Sequence, residues 1–337
     1  MTILKAAVVG CGAVGSLNDE ERQALDPRSH AGAHKQHPEI RLVAGADIDA
    51  IRREKFTNLW GARAYADYSE MLARERPDIV SVCTWPDSHA EVTIACVSAG
   101  AKVVFCEKPL ADSLPNGVKL VEACESNKVT LAVNHMRRWD KAHQQVRDFV
   151  ASGELGDVRH AVSHYARGVA NYGSHIADLL RFFFGEVDWV RAFNLLNEQN
   201  PDPVLDAYIK MQNGVGCALV GCSREYYDIF DFDILGTRGR IRIEDLGYRI
   251  RLWNMGAHLE IPDRNVLIEA SSPFPQSLHG MMLAAVDNLV RCITGGQKPL
   301  STGRDGLAAL EMIEALKRSA AAHGERVSLP LEDDKLE

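Results

Sequence analysis

The run Gly10-Cys11-Gly12-Ala13-Val14-Gly15 has the residue types and the spacing to hold a dinucleotide. Gly10 permits a tight turn, and Gly12 lets backbone approach a pyrophosphate with no Cβ in the way. Gly15 lets the following helix pack closely on a sheet. The start of that helix would offer unpaired N–H groups and a positive dipole end to the phosphates, with Ala13 and Val14 in the same cradle. Asp47, after the apolar run 42–46, is the acidic partner. Its carboxylate can accept hydrogen bonds from an adenosine ribose and repels a 2′-phosphate. Ile48 and Asp49 follow, and no arginine stands at once beside them, which favours NAD(H) over NADP(H). Two plainer readings stay open: the glycines serve only a turn, or Asp47 only caps one. Gly15 and Asp47 are 32 residues apart, where roughly 20 is usual. The excess falls in 16–28, with Asn18-Asp19-Glu20-Glu21, as either a loop near the phosphates or an extension of a surface helix.

Elements that would position these residues alternate in type over the first ~135 residues, the pattern of a doubly wound parallel sheet. Short apolar runs at 3–9, 41–46, 79–84, 102–106 and 129–133 suit strands covered on both faces. Helical periodicity occupies 65–74, 89–99 and 112–127. After residue 150 the rhythm changes. Strands are expected at 158–167, 187–196, 205–211, 216–221, 229–235, 239–244 and 248–254, with helices at 175–184, 276–294 and 305–323. The fold class that follows is α/β. An N-terminal Rossmann domain, 1–135, precedes a C-terminal α+β domain, 136–337, with a large, mainly antiparallel sheet. The acidic end Glu332-Asp333-Asp334 reads as a solvated tail.

The chain of 337 residues carries a formal net charge of -8, which argues against a sequence-independent grip on nucleic acid. No apolar stretch is long enough to span a bilayer, and no cleavable leader is expected. The eight cysteines form no CxxC pair and sit in apolar runs, as reduced, buried thiols of a cytoplasmic protein would. His30, His34 and His37 share one helical face. With no further ligand pattern beside them, they read as facing solvent or a loop, and no metal is expected.

At Glu107-Lys108-Pro109, after the fourth apolar run, the sequence resembles the glucose–fructose oxidoreductase, inositol dehydrogenase and MocA family. Further segments support the resemblance in order: Thr84-Trp85-Pro86-Asp87-Ser88-His89, Val133-Asn134-His135-Met136-Arg137-Arg138 and Gly173-Ser174-His175-Ile176-Ala177-Asp178. The resemblance spans nearly the whole chain. It implies a dehydrogenase in which Thr84, Pro86, His89, Glu107, Lys108 and Asn134 lie at the cofactor, and Lys108 also at the substrate hydroxyl. An ammonium at a strand's carboxyl end can stabilise an alkoxide as hydride leaves carbon. His175 is the expected acid/base, since a neutral imidazole takes a hydroxyl proton near physiological pH. Many relatives place an Asp four residues before this histidine; here that residue is Asn171, which can hold a hydroxyl but cannot stabilise an imidazolium as a carboxylate would. Asp178, three residues on, is an alternative partner or a structural residue.

Arg138, Tyr165 and Asn171 are the remaining candidates for substrate binding. Arg137, Arg138 and Trp139 could bind a phosphate or carboxylate, or equally form a structural ion pair with a packing aromatic. His160 and His164 share one strand face and Ser163 and Tyr165 the other; either could floor the site. The expected partner is a sugar, cyclitol or sugar nucleotide, and the protein is expected to be a homo-oligomer, dimer or tetramer. Two further readings remain: a reductase using NADP(H) or a tightly held cofactor, and a non-catalytic NAD(H)-binding regulator.

Overall fold

The computed structural model describes residues 3–20 and 26–331. Part of the 16–28 segment and the acidic end 332–334 therefore lie outside the described residues. Two compact units emerge, one of residues 1–139 and 280–310, the other of 140–279 and 311–337.

The first unit alternates strand and helix: β1 (Leu4–Val9), α1 (His30–Gln36), β2 (Ile40–Ala46), α2 (Ala50–Trp60), β3 (Arg63–Tyr65), α3 (Tyr68–Glu75), β4 (Ile79–Val82), α4 (Pro86–Ser98), β5 (Val103–Cys106), α5 (Leu114–Ser126) and β6 (Thr130–Val133). The strands form one parallel sheet in the order β3-β2-β1-β4-β5-β6, so the winding reverses between β1 and β4. Ligands bind outside the carboxyl ends of strands at such a switch point. The expected strands are all present. Short β3 and helix α2 are additional, because α2 buries only Phe56 and shows no apolar stripe to read. Asp49 caps α2 by accepting from the N–H groups of Ile51 and Arg52, and Gly61 ends it at φ 66°.

The second unit contributes α6 (Lys141–Ala151), β7 (Val158–Tyr165), α7 (Tyr172–Phe184), β8 (Val187–Phe193), β9 (Asp206–Met211), β10 (Gly216–Gly221), β11 (Phe230–Gly236), β12 (Gly239–Glu244), β13 (Arg249–Ala257) and β14 (Asn265–Ala270). Then come α8 (Met281–Gly295), α9 (Gly303–Ala321) and β15 (Val327–Ser328). The nine-stranded sheet runs β14-β13-β12-β11-β7-β10-β9-β8-β15 and is antiparallel except where β10 meets β7. Strict alternation of burial along β11 and β12 gives this sheet two unlike faces. Phe230, Phe232, Ile234, Ile241 and Ile243 point to the buried face, where Phe183 of α7 meets Phe232 edge-on at 5.8 Å. Asp231, Asp233, Arg240 and Arg242 occupy the other face and pair across the strands. Strand β14 was not expected, since its mostly exposed residues leave no alternation to detect.

The division differs from the expected boundary at 135. Residues 280–310 pack in the first unit: Met282, Ala285, Val286 and Leu289 of α8 join Leu4, Ala33, Phe105 and Trp139 in one core cluster. The apolar stripe of α8 signals a buried face but not which core it enters.

Candidate active site

At the switch point, Gly10 takes φ +90°, and a Cβ there would lie 2.5 Å from the Cys83 carbonyl oxygen. Only glycine fits so close to β4. Gly15 likewise packs directly on the Gly10 carbonyl. The helix expected from Gly15 onward is interrupted. Gly12 to Ser16 form a single turn, closed by Ser16 N–H donating to the Gly12 carbonyl at 2.9 Å, and a short 3₁₀ turn, Leu17–Asp19, follows. The helical line resumes only at α1, where His30 and Ala31 N–H groups donate to the carbonyls of Val14 and Gly15, both at 3.0 Å. The inserted segment is pinned by buried Asp19, which accepts from Arg28 N–H at 2.8 Å and from the Ser29 N–H and hydroxyl at 3.0 and 2.6 Å. Ser29 in turn caps α1.

Asp47 follows β2 and is buried. One of its carboxylate oxygens accepts from Cys11 N–H at 2.8 Å, the other from Asp49 N–H at 2.9 Å. It therefore ties the glycine turn to β2, and each oxygen keeps a lone pair for a further donor. Ile48 beside it is 92% exposed. The absence of a nearby arginine, expected from the sequence, is corrected. Arg52 Nη1 stands 3.8 Å from Asp47 Oδ2, and Arg53 Nη1 donates to the carbonyls of Asp47 and Ile48, both at 2.9 Å. One turn of α2 brings both back to the end of β2, a proximity that adjacency in sequence does not reveal.

Thr84 and Pro86 follow β4, with Pro86 at the start of α4. The buried Thr84 Oγ1 has no hydrogen-bond partner. His89 is corrected as a cofactor contact. Its ring is fully buried, with Nδ1 3.1 Å from the Pro109 carbonyl oxygen and Nε2 3.1 Å from that of Thr84. Both nitrogens face backbone carbonyls of the loops after β4 and β5, and the buried ring turns neither toward open space.

Lys108 leaves the carboxyl end of β5 behind Glu107. The Glu107 carboxylate accepts from His30 Nε2 at 3.0 Å, Asn134 Nδ2 at 2.6 Å and Lys108 N–H at 3.2 Å. Burial alone would raise its pKa, but the His30 bond and charge, Asn134 and the Lys108 charge together bring it down to about 2. His30 Nδ1 lies 2.9 Å from Ser81 Oγ, and His34 Nε2 lies 2.8 Å from the same oxygen. The histidines of α1 thus face the sheet, not solvent or a loop; His37 Nε2 is 3.8 Å from Asp287. The helical spacing places His30 and His34 on one face, and their buried partner is Ser81, a lone hydroxyl within the apolar β4.

In the second unit, His175 lies in the first turn of α7, buried, with Phe230 edge-on at 6.3 Å. Buried Asp178 follows on the same helix, and exposed Asn171 precedes the helix. Asp202, missed in the sequence, accepts from Ala170 and Asn171 N–H at 2.6 and 3.1 Å and holds the entry to α7. Arg167, at the end of β7, is bonded through Nε and Nη2 to Asp228, which also accepts from the Tyr172 hydroxyl at 3.3 Å. Tyr226 and Tyr227, just before Asp228, are 75% and 58% exposed. Such groups on irregular segments carry no periodic signal.

Two substrate-binding expectations are corrected. The Tyr165 hydroxyl is buried, donating to the Leu205 carbonyl at 2.8 Å and accepting its N–H at 2.7 Å. Burial pushes its pKa up. Tyr165 and Ser163 therefore lie on the helix-covered face, and His164 on the open face opposite Asp231. Arg138 is buried in the first unit, with Nη2 3.1 Å from Asp305 and Nη1 donating to the Leu300 carbonyl at 3.2 Å, the structural alternative.

Two family models match the chain: an NAD-binding Rossmann fold of an oxidoreductase family over residues 4–135, and the C-terminal α/β domain of the same family over 150–329. Among curated proteins, the D-apiose dehydrogenase of Paraburkholderia graminis is 27% identical, covering 94% of this chain and 87% of its own. The myo-inositol 2-dehydrogenase of Thermotoga maritima is 25% identical over 98% of this chain and 99% of its own. The WlbA dehydrogenase of Bordetella pertussis, solved with NADH and UDP-GlcNAcA, shares the fold at a TM-score of 0.78 and 23% identity, covering 98% of this chain and 100% of its own. No helix among the described residues is long and apolar enough to cross a membrane.

Proposed function

Because the chain belongs to the oxidoreductase family of glucose–fructose oxidoreductase, inositol dehydrogenase and MocA, we propose that it is an NAD-dependent dehydrogenase of a sugar, cyclitol or sugar nucleotide. It oxidises a secondary hydroxyl or reduces the corresponding ketone. The observation that carries this reading lies in one parallel sheet. The Gly10 turn, Asp47, Thr84 and Lys108 all follow the carboxyl ends of the adjacent strands β1, β2, β4 and β5. The glycine cradle, free of side chains, and a ribose-facing carboxylate with spare lone pairs suit a dinucleotide.

When bound, nicotinamide supplies the hydride acceptor. This chain's residues do the rest. Lys108 donates to the substrate oxygen and stabilises the charge that develops on it. His175 takes the hydroxyl proton, and for ketone reduction returns it. Asn171 holds a neighbouring hydroxyl. Relatives named for a pentose, for inositol and, in one complex, for a nucleotide sugar support these substrate classes.

Asp47 supports NAD, while Arg52 favours a second reading in which NADP also binds, through a guanidinium close to the ribose carboxylate. Affinities for NADH and NADPH, measured side by side with Arg52→Ala, separate the two. The open, partly apolar face of the nine-stranded sheet supports self-association, with Tyr208 40% and Phe193 41% exposed. Light scattering reads the assembly directly. Eight free cysteines, most of them buried, support a reducing, cytoplasmic setting.

The test of the activity is NADH formation by the purified protein on a panel of sugars, cyclitols and nucleotide sugars. Turnover on one class that is lost in Lys108→Ala is the expected outcome. NADH binding with no turnover on any class would favour the regulator.

A further inference from the structure

Beneath Lys108 lies a buried line of polar groups for which the hydride-transfer chemistry has no obvious use. It runs from His34 through Ser81 and His30 to Glu107, crossing from α1 to β4 and to the end of β5. His30, His34 and Ser81 are each fully buried. Such groups, set among apolar strands, cost stability unless they are bonded. A simple packing role would be met more cheaply by alanine or valine.

The chain has a direction. An ionised carboxylate only accepts, so His30 Nε2 carries a proton toward Glu107. With a neutral ring, His30 Nδ1 then accepts the Ser81 hydroxyl, and Ser81 Oγ accepts from His34 Nε2–H. Every donor points toward Glu107. At the far end His34 Nδ1 has no hydrogen-bond partner, so the chain stops there. Burial first, and any positive charge that His30 or His37 takes up, pulls the His34 pKa down to about 3 and keeps that ring neutral.

At the near end, the second oxygen of Glu107 accepts the backbone N–H of Lys108. The carboxylate therefore binds the backbone of the residue that carries the ammonium, and the two charges interact. We propose that His30, Ser81 and His34 are positioning residues, a directed buried chain that holds Glu107 in place and through it the orientation and charge of Lys108. The inference rests on the role given to Lys108 above.

Other groups bear on the same carboxylate and rings. Asn134 donates to Glu107, and the thiols of Cys83 and Cys106 face it with pKa values that burial and the Glu107 charge raise. His37 and, beyond it, Asp287 of α8 face His34 and His37. Among these described groups, Lys108 and, when protonated, His30 bring positive charge to Glu107.

The test reads Lys108 directly and needs no substrate. The intact protein is reductively methylated with ¹³C-formaldehyde, and the Lys108 resonance, assigned by its loss in Lys108→Arg, is titrated by NMR. Removing the Glu107 charge in Glu107→Gln should lower the Lys108 midpoint by about one pH unit. His30→Gln and Ser81→Ala, which leave Glu107 in the chain but unfasten it, should lower it in the same direction. His30→Gln added to Glu107→Gln should produce little further change, because both act through one carboxylate. Circular dichroism and melting temperature show that each variant is folded, and Ser81→Ala, the mildest change, keeps the test usable if His30→Gln does not fold. An unchanged Lys108 midpoint in folded His30→Gln and Ser81→Ala would overturn the proposal. Failure of the dehydrogenase reading would show instead as full turnover by Lys108→Ala.

Discussion

The two units hold their reactive groups in contrasting ways. In the first, Glu107 is fastened by three donors, and behind it stand His30, Ser81 and His34, all buried. In the second, His175 is buried on α7, but the residues around the start of that helix are open: Asn171, Tyr226 and Tyr227 are exposed, and the Arg167–Asp228 pair is only partly covered. Preorganised groups in a dry setting act strongly on developing charge. Exposed polar and aromatic groups on connecting segments change easily without disturbing a core. On the proposed roles, the group that stabilises charge, Lys108, sits on the fastened side, and the proton-transfer group, His175, sits beside exposed groups free to vary with substrate.

Breaking the fastened side should produce the largest effect. Lys108→Ala is expected to lower kcat by roughly 10²–10³-fold while NADH affinity changes little, as a charge-stabilising group acting in the transition state would. Steady-state kinetics and fluorescence titration read the two separately. His175→Ala should cost about 10²–10³-fold and, with the base gone, leave a rate that rises with pH as the substrate hydroxyl itself ionises. A pH–rate profile identical in shape to that of the parent would remove His175 from the proton step.

A smaller effect is expected at the ribose. Asp47→Ala should weaken NADH binding about tenfold, since it removes an acceptor for the ribose and also the anchor of Cys11 N–H. On the open side, Asn171→Asp and Tyr226→Ala should alter KM and the ranking of substrates by a few-fold, with kcat on the best substrate nearly kept. Loss of kcat alone in Tyr226→Ala would contradict the contrast.

Acid stability sharpens the same comparison. The His34 pKa lies at about 3 in the fold and at 6.5 in its absence, so the unfolded chain takes up a proton that the folded one refuses. Stability therefore falls as pH drops from about 6.5 toward 3. Glu107, at about 2 against 4.5, adds a loss of the same sign between those values. Melting temperature followed from neutral pH downward should decline by several degrees over the His34 range, and His34→Gln should flatten the limb above pH 4.5.

Legibility in the sequence followed the same division. The parallel strands showed as unbroken apolar runs because both faces are covered, and Gly10, Asp47 and Lys108 could be placed at their ends. Pairings across the sheet were not readable: nothing local links His30 to Glu107, 77 residues away. Nor does a helical stripe tell which core it enters, as α8 shows. His89, Arg138 and Tyr165 have the residue types of ligand contacts, yet each spends its polar atoms on backbone or on Asp305. Near the start of α7, Asp202, Arg167 and Asp228 sit on connections or strand ends where spacing carries no signal.

The most direct test of the central claim is hydride transfer itself: NADH formation by the parent protein and by Lys108→Ala on the same panel of sugars, cyclitols and nucleotide sugars. The account predicts turnover by the parent on one class, with Lys108→Ala binding NADH normally and turning over at least a hundredfold more slowly. Equal rates for the two proteins would contradict it.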